Sequence, residues 1–186
     1  MDENARHLRS IVIEYYNNSD RKLAMEQLDQ LKSQLHDNRI TQLGYKEREP
    51  EYREKLDAIE KATFDCIEKE RQSYQSRVDA WDEPRAEYIH PDMGLLSGMV
   101  PLDQKALETL VERHKKNSLM SKAIQKYAAD REIILNTKAP TADEKRKAFD
   151  TVYGYAKSSV KDPQYAANFM INDGGFDKIY NPIIEI

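Results

Sequence analysis

Between Pro50 and Pro84 the chain carries neither proline nor glycine, and through this stretch Tyr52, Leu56, Ile59, Thr63, Ile67, Arg71, Tyr74, Val78 and Trp81 recur at steps of three and four. Such spacing gathers side chains on one side only in an α-helix, where 3.6 residues complete a turn. Pro50 suits the opening position, because the amide proton it lacks would be unpaired in the first turn anyway. About 30 residues then give a rod of roughly 45–50 Å. Three pairs, Glu51 with Lys55, Asp57 with Lys61 and Asp65 with Lys69, place acid before base at i, i+4. Each adds about 0.2–0.5 kcal/mol of helix support. The stripe resembles a heptad seam diluted by Thr63 and Arg71, which predicts partial packing against the preceding helix or another subunit, not a tight two-stranded zipper.

The rest of the chain reads as helix grammar around that rod. Leu8, Ile11, Val12, Tyr15 and Tyr16 mark a first helix that stops at Asn17-Asn18-Ser19-Asp20, where Ser19 or Asp20 can cap the next. Ala24, Leu28, Leu31 and Leu35 continue as a second stripe, with Leu43-Gly44 expected to end it. From 82 to 101 the texture changes. Pro84, Pro91, Pro101, Gly94 and Gly98 break helix, yet Tyr88, Ile89, Met93, Leu95, Leu96, Met99 and Val100 are too apolar for a solvated linker. Short helices follow. Asp103 is placed to cap the stripe Leu107, Leu110, Val111 and His114, and Asn117-Ser118 separates it from Met120, Ala123, Ile124 and Tyr127. Thr141 and Glu144 form a capping box ahead of Ala148, Phe149, Val152, Tyr153 and Ala156. A last helix is expected from 163 to 171, closed by Gly174-Gly175.

The expected architecture is therefore all-α. An elongated, coiled-coil-like region spans 1–81, an apolar connector 82–101, a small helical bundle 102–175 and an apolar tail 176–186. Leu28, Leu31, Leu35, Leu56, Ile59, Ile67, Tyr74, Val78 and Trp81 are the candidate self-association residues. Leu95, Leu96, Met99, Ile179, Tyr180, Ile183, Ile184 and Ile186 are the candidates for docking a partner.

Chemistry is hard to find. A single cysteine, Cys66, allows neither an internal disulfide nor a cysteine zinc cage, and among carboxylates in mid-helix it reads as a packing residue. His7, His36, His90 and His114 lie far apart with no i, i+4 partner, so neither a metal site nor a cofactor is expected. The serine of Gly94-Leu95-Leu96-Ser97-Gly98 falls one place late for a nucleophile elbow. An enzyme would need His90, Ser97 and a carboxylate to meet in one pocket. Charged residues make up 33% of the chain and the net charge is −4, which gives no bulk attraction to nucleic acid or an anionic membrane. The basic runs at 113–116 and 145–147 have acidic neighbours in Glu112 and Glu144. No apolar run approaches the roughly 18 residues of a membrane span. Eleven tyrosines fit half-wet helix boundaries or protein–protein contact.

Asp92-Met93-Gly94-Leu95-Leu96-Ser97-Gly98, the helix 102–110, Val111-Glu112-Arg113-His114-Lys115-Lys116-Asn117-Ser118-Leu119-Met120 and Ala123-Ile124-Gln125-Lys126-Tyr127-Ala128 together form a pattern. It resembles one in virion-assembly proteins of tailed bacteriophages of Gram-positive hosts, where a charged, coiled N-terminal half precedes such a module. The resemblance implies a head scaffold or capsid-associated component that acts by self-association and by docking to a shell protein. It further implies residence in the host cytoplasm during assembly, or in the virion. It carries no catalytic residue, and the family's short polar ending is replaced here by an apolar tail. The alternative is an intracellular helical adaptor or regulator of a protein or nucleic-acid partner.

Overall fold

The computed structural model describes residues 2–97, 101–170, 180 and 182–186, and among them no strand occurs. Among the described residues the bounded α-helices follow in order: α1 (Glu3–Asn17), α2 (Ser19–His36), α3 (Gln42–Asp82), α4 (Gln104–His114), α5 (Ser118–Asp130), α6 (Ala142–Lys161) and α7 (Pro163–Met170). Short 3-10 segments, Ala86–Tyr88 and Pro91–Ser97, lie between α3 and α4. The all-α class is as the periodicity predicts.

Side-chain caps set most of the helix starts. Asn18 alone separates α1 from α2, its Oδ1 accepting the Arg21 amide at 2.8 Å, so the cap lies one residue ahead of the expected Ser19 and two ahead of Asp20. Helix α2 stops at His36, seven residues before Leu43. The left-handed position is taken by Asn38 at φ 56°, a conformation that asparagine tolerates. Thr41 then caps α3 by accepting the Gly44 amide at 3.1 Å. Gly44 therefore sits in the first turn of α3 and terminates nothing. The long helix starts at Gln42, and Pro50 is interior on an exposed face. Its 41 residues span about 60 Å. Downstream, Asp103, Asn117 and the Thr141–Glu144 capping box act at the expected positions.

Among the described residues two apolar cores result. The first gathers Leu8, Val12 and Tyr15 of α1, Ile67, Tyr74, Val78 and Trp81 of α3, Phe149, Val152, Ala156 and Val160 of α6, Ala166 and Phe169 of α7, and Ile184. The second joins α4 and α5 to Leu135 and Ala139, with Met93 and Leu96 of the connector against it. Trp81 Nε1 donates to the Lys116 carbonyl at 2.8 Å and Ser118 Oγ donates to Asp82 at 2.8 Å, linking the two lobes. The expected division at 82–101 is thus redrawn, since α6 and α7 pack with α1 and α3. What stays outside both cores is an arm, α2 lying along the first half of α3.

Candidate functional site

Three features compete for function: the arm, the C-terminal segment and a histidine cluster beside the connector. Along α3 the predicted seam divides. Ile67, Tyr74, Val78 and Trp81 are buried in the chain's own first core, which removes them as a self-association surface. Tyr74 stacks on Phe149 with ring centres 3.9 Å apart, and Arg71 pairs with Asp150 of α6 at 2.7 Å. Leu28 and Leu31 are buried in α2, while Leu35, Leu56 and Ile59 are half-buried on the arm. Leu23, Ala24, Ala58 and Ile59, with Asp20, Gln27 and Lys55, line a groove of about 410 Å³ between α2 and α3. Leu23, Met25 and Leu43 remain exposed on the same arm. Cys66, expected to pack, is exposed instead.

The described residues of the apolar tail, 180 and 182–186, have their partner within the chain. Ile184 is buried in the first core, Tyr180, Ile183 and Ile186 pack half-buried against it, and Tyr74 donates its hydroxyl to the Ile184 carbonyl at 2.9 Å. Lys145 completes the latch. Its ammonium, over the Trp81 ring at 4.8 Å, donates to the carbonyls of Ile183 at 2.9 Å and Glu185 at 2.6 Å. Burial pushes this amine down to about 8, against the opposing pull of Asp2 and Glu185. These tail residues are therefore corrected from partner docking to closure of the fold. Leu96 packs in the second core, Leu95 is exposed, and Met99 and Ile179 lie outside the described residues. The basic runs are also engaged internally: Arg113 with Asp92, Lys116 with Glu185, and Arg146 with Asp79 and Asp143.

The third feature is one that separation along the chain concealed. His114, in the last turn of α4, is buried, with Nε2 2.8 Å from Asp92 Oδ2. His90 is exposed, its ring centre 4.5 Å from that of His114 and its Nδ1 3.6 Å from the same oxygen. The Asp92 amide donates to His90 Nδ1 at 3.1 Å, so the turn His90-Pro91-Asp92 holds both side chains toward α4. Hydrogen bonds from His114 and then Arg113, which reaches Asp92 at 2.9 Å, hold the Asp92 carboxyl below the usual carboxylate range. Ser97 lines a different groove, with Leu96, Lys126 and Asp130, so His90 meets a carboxylate but not the serine. Comparison with family models, curated proteins and solved structures found no match.

Proposed function

We propose that the chain is a non-enzymatic assembly protein of a tailed-phage head, a scaffold or capsid-associated component that self-associates through its α2–α3 arm and engages a shell protein. One observation carries the self-association: the arm keeps exposed Leu23, Met25 and Leu43 beside an apolar groove, outside both cores. Its occupant is a second copy of the same arm. The surface interleaves opposite charges, as in Lys32 with Asp29, Arg53 with Glu49 and Lys55 with Glu51, a pattern complementary to itself. The phage setting is supported by the resemblance across 92–128. Engagement of the basic runs within the chain leaves the nucleic-acid alternative without a favouring observation.

Light scattering on the purified chain at micromolar concentration tests this reading. The expected result is a dimer or larger oligomer that Leu23→Asp returns to monomer with helicity unchanged. A monodisperse wild-type monomer overturns it. Particle fractionation tests the setting: the chain is expected in precursor or mature heads, and absence from both rejects the assembly role.

A further inference from the structure

We propose that His90, Asp92 and His114 form a binding site for one divalent transition-metal ion, with zinc the best match. The inference is independent of the assembly role. Two imidazoles and a carboxylate are a donor set that zinc accepts, and here one ligand atom from each residue lies within 4.8 Å of the others. Zinc bonds of about 2.0 Å in a tetrahedron separate neighbouring ligand atoms by about 3.3 Å. His114 Nε2 to Asp92 Oδ2 at 2.8 Å and His90 Nδ1 to Asp92 Oδ2 at 3.6 Å fall on either side of that value. Little more than closure of the two imidazoles around the ion is required.

The protonation states also fit. His90 Nδ1 accepts a hydrogen bond from the Asp92 amide and is therefore the unprotonated ring nitrogen, whose one lone pair would leave that amide to bind the ion. Between His114 Nε2 and Asp92, an ion would take the place of the shared proton. The site sits on the last turn of α4, where the carbonyl end of the helix dipole favours a cation. Arg113 opposes it, because its guanidinium touches the same Asp92 oxygen; its side chain is more than half exposed and free to swing into solvent. Three protein ligands leave a fourth position for water. Such an ion would pin the connector, through His90 and Asp92, to the second lobe.

The test is titration of the chelator-treated full chain with Zn2+ by calorimetry, and with Co2+ by visible absorption. One ion per chain is expected, with tetrahedral Co2+ bands and a rise in melting temperature. His114 is buried and its replacement endangers the fold, so the exposed His90 carries the decision: His90→Ala should weaken binding by at least about tenfold. Arg113→Ala, which removes the competing cation, should strengthen it. Absence of Zn2+ uptake by folded wild-type protein overturns the proposal. So does binding that His90→Ala leaves unchanged, which would place the ion on other residues such as His7 and Glu70, 3.4 Å apart.

Discussion

The two halves of α3 are built from similar materials and meet different fates. From Gln42 to about residue 62 the helix lies mainly beside α2, and its apolar residues Leu56 and Ile59 stay half-buried, Ile59 at the edge of the first core. From Thr63 onward it runs into a core where Ile67, Tyr74 and Val78 are fully enclosed by α1, α6 and the C-terminal segment. Spacing is alike in both halves, so periodicity does not set the depth of burial. What differs is the number of elements that converge on the helix, and those elements come from distant parts of the chain.

The largest effect should come from setting the two halves against each other. Tyr74→Ala removes a fully buried ring, its stacking on Phe149 and its hydrogen bond to Ile184, at a cost of about 3–5 kcal/mol. Leu56→Ala, on the arm, should cost about 1 kcal/mol, because a half-buried side chain leaves little cavity. Urea denaturation of both variants checks this, and similar losses would erase the contrast.

A smaller effect concerns Lys145, which has no counterpart on the arm. Its folded-state pKa of about 8 lies below the ordinary 10.5, so between these pH values the unfolded chain holds a proton that the folded chain has released. Stability should therefore rise as pH increases from 8 to 10.5, while below pH 8 the full cost of burying the charge is present. The gain should reach at most ~3 kcal/mol and should be missing in Lys145→Met. Denaturation across this range, wild type against variant, supplies the measurement; a parallel pH profile for the two would sever Lys145 from the latch.

The smallest effect lies at Ser159, whose buried hydroxyl has no hydrogen-bond partner among the described residues, although its carbonyl accepts from Tyr16 at 2.8 Å. Ser159→Ala removes the unsatisfied group and should leave stability equal or higher by about 1 kcal/mol. A loss of the same size in thermal melts would show that the hydroxyl is satisfied after all, and that the body is as tightly matched in its polar groups as in its apolar ones.

Local features were legible in the sequence to the extent that local physics decides them. Asp103, Asn117 and the Thr141–Glu144 pair cap helices because the groups they satisfy lie three residues away. The stripes on α4, α5 and α6 announced their buried faces for the same reason. The partner of each stripe was not legible, since Tyr74 has the same spacing whether it meets Phe149 or a second subunit. Pro50 misled because the Lys46 carbonyl, which loses the amide proton that residue 50 would have donated, is exposed, so water can take that place. Lys145 read as part of a basic run, although a signal was present: it lies three and four residues before Ala148 and Phe149, on their stripe. For His90 and His114 there was no such signal. Only tertiary packing of the connector on α4 closes a gap of 24 residues.

Sequence distance also sets the order in which this molecule can be completed. Arm contacts join neighbours and can form as soon as α3 emerges from the ribosome, whereas the Tyr74 hydroxyl waits for Ile184, 110 residues later. At about 5–20 residues per second, that interval lasts about 5–20 s. Throughout it the apolar half of α3 lacks its final cover, so the nascent chain would expose to chaperones the same residues that the finished protein hides most completely.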